Sequence, residues 1–321
     1  MLLKQKGSEK MNYLYGPVPS RRLGVSLGID LIPHKICSFN CIYCECGPTT
    51  KLTIKRDEFK TVNLVIEELN NYLKDKPKLD YITFSGSGEP TLYKKIGTII
   101  DFLKQYYPDY QIALLTNSSL LHKKEVRNQI KKVDLISPSL DSVIKRNFET
   151  INRPHSKIKL SQIIEGLIEL RKEFDGKIFL EIFIVPNIND SKEELYKFHD
   201  IIKEIKPDLV QLNTLDRPGA EDWCTPASKS SLEDAVNIIG KEAEIIGPYL
   251  PKKRNTIQPT LKESIISTLK RRPCTVKDLS NIFDLHVNEV NRYLRQLEKN
   301  YNIKEKEEKR GKFYYLTKEG K

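Results

Sequence analysis

Residues 25–46 read Val25-Ser-Leu-Gly-Ile-Asp-Leu-Ile-Pro-His-Lys-Ile-Cys37-Ser-Phe-Asn-Cys41-Ile-Tyr-Cys44-Glu-Cys46. The run Val25–Leu31 is apolar and β-rich, which predicts a strand. Three cysteines spaced C-x3-C-x2-C then follow on a short loop. Thiolates so arranged can each take one iron of a cubane cluster, leaving the fourth iron without a protein ligand. Spacing alone leaves structural zinc open, with Cys46 or His34 as the fourth ligand. A disulfide framework fits poorly, because four of the six cysteines crowd into residues 37–46 while Cys224 and Cys274 lie far off.

Outward from this loop the chain alternates. Strand candidates are Val25–Leu31, Tyr81–Ser85, Gln111–Thr116, Val133–Leu140, Lys177–Val185 and Leu209–Leu212. Helical apolar spacing marks Val62–Leu73, Ile96–Tyr106, Leu160–Phe174, Leu195–Ile205 and Leu232–Ile245. Strand, helix, strand in that order implies right-handed crossovers and a parallel sheet, either open or a partial (β/α)6 barrel. Functional residues then belong on loops beyond the C-terminal strand ends. This catalytic domain is placed at residues 1–250. A Pro- and Lys-bearing linker at 251–259 leads to a second domain at 260–321. Its signals are helices at Leu261–Leu269, from Thr275 as N-cap, and at Val287–Leu297. A strand-like tail turns at Arg310-Gly311-Lys312. Three helices and a hairpin resemble a winged helix-turn-helix.

A second motif follows the second strand candidate, Ser85-Gly86-Ser87-Gly88-Glu89-Pro90. Glycines permit close backbone approach, and a carboxylate suits an ammonium. Together the two motifs resemble the radical S-adenosylmethionine (radical SAM) enzymes, with Tyr43 at the aromatic place of the C-x3-C-x-aromatic-C signature. That resemblance implies a [4Fe–4S] cluster on Cys37, Cys41 and Cys44. Its open iron would chelate the amino and carboxylate groups of S-adenosyl-L-methionine (SAM), and one electron would cleave the sulfonium to methionine and a 5′-deoxyadenosyl radical. It implies that Gly86, Gly88, Glu89 and Pro90 grip the methionyl ammonium. Asn117, ending the third strand, is a cofactor-binding candidate, and Ser139 ends the fourth, where the family places polar groups that hold the ribose and carboxylate. Asp141 and Asn187 are further candidates that double as turn residues. Gln211, Asn213 and Asp216, after the last strand, face substrate or cap a loop. An electron donor such as flavodoxin or ferredoxin is implied as well.

The stretch Tyr15–Asp30 narrows the resemblance to a subgroup related to the tRNA wyosine-base synthases. Those enzymes build a second cluster from cysteines upstream of the loop, and no cysteine precedes Cys37 here. Arg21 and Arg22 could meet an anionic substrate or pair with a neighbouring acid.

The chain carries 54 Lys and Arg against 43 Asp and Glu, a formal net charge of +11, which favours an anionic partner. Residues 255–321 hold 15 of the cations and 9 of the acids. A winged helix would present Asn288, Asn291, Arg292 and Arg295 to a groove, with Lys309, Arg310 and Lys312 at phosphates. RNA is favoured over DNA, with a protein-contact role as the alternative. No apolar run approaches the roughly 20 residues of a membrane span. The opening MLLKQKGSEKMNYLYG lacks the pattern of a signal peptide, so a cytoplasmic protein is expected. These readings predict a radical SAM enzyme acting on RNA or another macromolecule. A DNA-binding iron–sulfur sensor is the alternative, and the acid of the Gly86–Pro90 segment separates the two, because a sensor needs no group for an ammonium.

Overall fold

The structure, a computed structural model, describes residues 13–20, 22–246, 261–283, 285–298 and 301–316. The larger unit opens with a hairpin of β1 (Leu14–Ser20) and β2 (Gly24–Ile29), paired antiparallel. Two short strands, β3 (Ile36–Cys37) and β4 (Lys51–Leu52), bracket the cysteine loop. The chain then alternates α1 (Val62–Leu73), β5 (Tyr81–Phe84), α2 (Ile96–Tyr106), β6 (Ile112–Thr116), α3 (Lys124–Ile130) and β7 (Leu135–Pro138). It continues through α4 (Lys145–Asn152), α5 (Leu160–Glu173), β8 (Lys177–Phe183), α6 (Lys192–Ile205), β9 (Leu209–Asn213), α7 (Lys229–Ile239) and β10 (Ala243–Ile245). The sheet order is β1-β2-β5-β6-β7-β8-β9-β10, parallel from β2 onward.

Sequence and sheet agree for a physical reason. Parallel strands are covered on both faces, so they read as near-continuous apolar runs such as Ile112–Leu115. Each helix lays one stripe on the sheet: Val65, Leu69 and Leu73 from α1, and Leu195, Phe198, Ile202 and Ile205 from α6. The last predicted helix stops at Ile239 instead of Ile245. Gly240, at φ 123°, breaks it, and Ala243–Ile245 pairs with β9 as an edge strand. Helices α3 and α4 carry little periodic signal because they are short, and α4 buries only Phe148, Ile151 and Asn152.

The sheet curls. Arg22, in the β1–β2 turn, binds Glu181 of β8. In a flat sheet these strands would stand four spacings apart, about 19 Å, beyond the reach of an arginine. Leu23 likewise packs with Ala113 and Leu135 across the same interior. The interior therefore has an apolar floor, with the strand C-termini above it.

The described residues between 261 and 316 form a second cluster with its own core, including Ile265, Leu269, Leu279, Phe283, Val290, Leu294 and Phe313. Helices α8 (Leu261–Leu269), α9 (Val276–Phe283) and α10 (Val287–Glu298) accompany β11 (Cys274–Thr275), β12 (Ile303–Glu308) and β13 (Gly311–Leu316), in sheet order β11-β13-β12. Thr275 caps α9 as expected: its Oγ1 accepts from Asp278 N at 3.0 Å, and Asp278 Oδ2 accepts from Thr275 N at 2.9 Å. The predicted linker at 251–259 lies outside the described residues. No described helix is long and apolar enough to cross a membrane.

Candidate functional site

The cysteine loop leaves the end of β2 and returns over the strand C-termini. An N–H donor meets each of its three thiols. Asn117 Nδ2 lies 3.5 Å from Cys37 Sγ, Asn152 Nδ2 lies 3.5 Å from Cys41 Sγ, and Lys35 Nζ lies 3.0 Å from Cys44 Sγ. Burial and then Glu89 push the Cys37 thiol up to about 11, and burial and Asp141 raise Cys41. A hydrogen bond with Cys46 and the Lys35 ammonium hold Cys44 down at about 5. Asn152 Oδ1 is buried beside Cys41 with no hydrogen-bond partner among the described residues. Three sulfurs and three N–H donors fit a [4Fe–4S] group, whose potential such hydrogen bonds tune. Among the described residues no three His, Cys, Asp or Glu side chains gather around a single ion. Thiolates on different irons of a cubane need no such gathering.

The glycine loop supports the cysteine loop directly. Lys35 N donates to Ser87 O at 3.1 Å. A Cβ on Gly88 would lie 2.2 Å from the Ile36 carbonyl oxygen, so only glycine lets the two backbones meet. Pro90 opens the 3-10 turn Pro90–Leu92. Glu89 is buried and takes four donors: Thr91 N at 3.0 Å, Thr91 Oγ1 and Thr116 Oγ1 at 2.6 Å, and Asn117 N at 2.7 Å. Its carboxylate therefore ties this loop to the end of β6. Asn117 also receives Ser38 Oγ at 3.3 Å on its Oδ1, so it braces the cysteine loop.

Asp141, which in sequence doubles as a turn residue, is a hub. Its Oδ2 accepts from Tyr43 OH at 2.5 Å and Asn152 Nδ2 at 2.6 Å, and its Oδ1 accepts from Phe183 N at 3.0 Å. The Tyr43 ring stacks on Phe183 with centroids 3.8 Å apart. Asn187 is an exposed turn residue at φ 63°. Two residues on, Asn189 is fully buried and clamps the Asp141 and Phe183 carbonyls at 2.6 and 2.7 Å. Burial raises the Asp141 carboxyl to about 6. Its share of stability is present below the ordinary 3.8 and lost as pH rises through about 6. The Tyr43 hydroxyl offsets that loss. Tyr43→Phe should therefore cost about 1.5–3 kcal/mol at pH 8 and clearly less at pH 5, read by urea unfolding at both values. An equal cost at both would mean that the ionised carboxylate is not what Tyr43 serves.

Ser139, Glu181, Gln211 and Glu244 stand side by side across β7 to β10. Glu181 is held by Arg22 and, at 2.9 Å, by Asn213 Nδ2. Arg22 is therefore already paired, and the expectation that it could meet a substrate anion gives way to its other reading. Arg21 lies outside the described residues. Gln211 Oε1 and Ser137 Oγ are buried with no hydrogen-bond partner among the described residues. Asp216 is bound by Arg310 at 2.5 Å.

Residues 31–199 match the family model of the Radical SAM superfamily. The chain is 37% identical over 305 residues to a protein of Brachyspira hyodysenteriae named GTPase Obg, a match spanning 94% of this chain but 45% of that protein. It thus covers less than half the length of this relative. It is 40% identical over 244 residues to a UPF0026 protein of Methanocaldococcus jannaschii, spanning 74% of this chain and 73% of that one. Among solved structures it is similar to TYW1 with a lysine-pyruvate adduct bound. The TM-score is 0.50 and the identity 16%, over 71% of this chain and 76% of that one. At such identity the likeness is one of fold.

Proposed function

The chain belongs to the radical SAM superfamily and is an enzyme of it, and from that premise we propose that it cleaves SAM reductively to modify RNA. The observation that carries the reading is the cysteine loop, three thiols each met by an N–H and seated on the glycine loop through Gly88. Cys37, Cys41 and Cys44 would hold the cluster. Bound there, a [4Fe–4S] cluster and SAM together supply one-electron cleavage of a sulfonium and a carbon radical that takes hydrogen from substrate.

The chain's own residues orient and shelter that chemistry. Gly86, Gly88, Glu89 and Pro90 shape the seat for the methionyl group, Asn117 and Ser139 flank it, and Tyr43 with Phe183 walls it. Buried Gln211 Oε1 and Ser137 Oγ leave hydrogen-bonding capacity that a substrate's N–H or O–H groups would meet, since unpaired buried polar atoms cost about 1–3 kcal/mol. A flavodoxin or ferredoxin would deliver the electron.

RNA as substrate rests on charge and on the second unit, which we read as a winged helix. On α10, Asn288, Asn291, Arg292, Arg295 and Gln296 line an outward concavity of about 390 Å³. The wing departs from expectation: Arg310 binds Asp216 and Asp278, and Lys312 binds Glu305 at 2.8 Å. Arg292 and Arg295 on α10 and Lys309 on the wing, all exposed, are then the residues suited to phosphates. The descent suggested by Tyr15–Asp30 makes a tRNA base the substrate to test first. Nucleosides from total RNA of a strain lacking this protein, compared with its parent by mass spectrometry, should lack one modified nucleoside and accumulate its precursor. Identical nucleoside profiles would contradict RNA as the substrate.

A further inference from the structure

Behind the glycine loop stands an acid that belongs to neither motif. Asp30 follows β2 and is 8% exposed. A Cβ on Gly86 would lie 2.2 Å from its Oδ1, so the loop backbone rests on this carboxylate. Ser87 Oγ donates to its Oδ2 at 3.3 Å. The charge partner comes from the far end of the chain. Arg271, between α8 and α9, places Nε 3.2 Å from Asp30 Oδ2.

Arg271 makes three further contacts here. Its guanidinium lies 4.3 Å from the centre of the Tyr15 ring, and the Tyr15 hydroxyl is 2.5 Å from Ser85 Oγ, at the start of the glycine loop. Its carbonyl oxygen is 2.8 Å from the thiol of Cys46, two residues past Cys44. Ser267 O and Oγ hold its Nη1 at 3.0 and 2.7 Å, which fixes the side chain to α8. Two ion pairs at 2.5 Å, Arg310 with Asp216 and Lys306 with Asp222, hold the same unit against the loops beyond β9. A buried carboxylate stripped of its partner is strongly destabilising. Without Arg271 the loop would move so that Asp30 could reach water.

We propose that Arg271 is a positioning residue of the cofactor site, which through Asp30 fixes residues 85–88 and makes the C-terminal unit one wall of that site. The proposal rests on the reading that this loop receives the methionyl group of SAM. The second unit is then part of the pocket as well as an appendage that carries substrate.

The test compares full-length wild type, Arg271→Ala, Arg271→Lys, Asp30→Asn and the double variant Asp30→Asn/Arg271→Ala. SAM affinity is measured by equilibrium dialysis on anaerobically reconstituted protein. Amide hydrogen exchange at residues 85–88 is measured on protein without the cluster. Arg271→Ala should bind SAM about tenfold more weakly, the scale of one charged hydrogen bond, and exchange faster at 85–88. Arg271→Lys should recover part of both. The double variant should recover most of both, because no charge is left unpaired. Unchanged exchange in Arg271→Ala, or a double variant no better than the single one, would overturn the proposal. Wild type that binds no SAM would instead defeat the reading of the site, and the exchange arm still decides the coupling of Arg271 to the loop.

Discussion

Replacing Cys37, Cys41 or Cys44 by Ala is expected to remove the cluster and with it all cleavage of SAM. Each thiolate would hold a different iron, so no ligand is redundant. The same change at Cys224 or Cys274 should leave iron and sulfide at wild-type levels. Cys224 is buried among Ile42, Ile151, Phe183 and Val185, and Cys274 lies in the core of the second unit. Both act as small apolar side chains. Iron and acid-labile sulfide assays on the five variants give the answer. Loss at Cys224 with retention at Cys41 would place the cluster elsewhere.

Gly88→Ala is the second change with a large expected effect, although it touches no sulfur. The added methyl would sit 2.2 Å from the Ile36 carbonyl oxygen and 2.5 Å from Ile32 Cγ2. The backbone next to Cys37 would have to move, at a cost of about 1–3 kcal/mol for overpacking of this kind. We expect a folded protein with little bound iron and SAM affinity too weak to measure. Far-ultraviolet circular dichroism and iron per chain report the two halves of that outcome. A variant with wild-type iron and wild-type affinity would show that this contact does not set the loop.

Local signals were legible in the sequence because their causes are local. Cysteine spacing, the apolar runs of buried parallel strands and the Thr275 cap each involve residues a few positions apart. The supports of the site were not legible. Asp141 and Asn189 look like turn chemistry at a strand end, and only the packed loop shows which of the two nearby asparagines is clamped. Arg22 meets Glu181 across 159 residues of sequence and Arg271 meets Asp30 across 241. Pairs so distant are set by how the sheet curls and how the second unit docks, for which one sequence carries no periodic signal. Two wing cations show the reverse: their charge pattern suggests phosphates, whereas Arg310 and Lys312 are paired within the protein.

Whether this chain holds a [4Fe–4S] cluster and uses it to cleave SAM is open to direct measurement. Protein purified without oxygen, reduced with dithionite and given SAM tests it in one experiment. About four irons and four sulfides per chain are expected, with 5′-deoxyadenosine and methionine formed in equal amounts. Stoichiometric zinc without sulfide, and SAM recovered intact, would contradict that expectation.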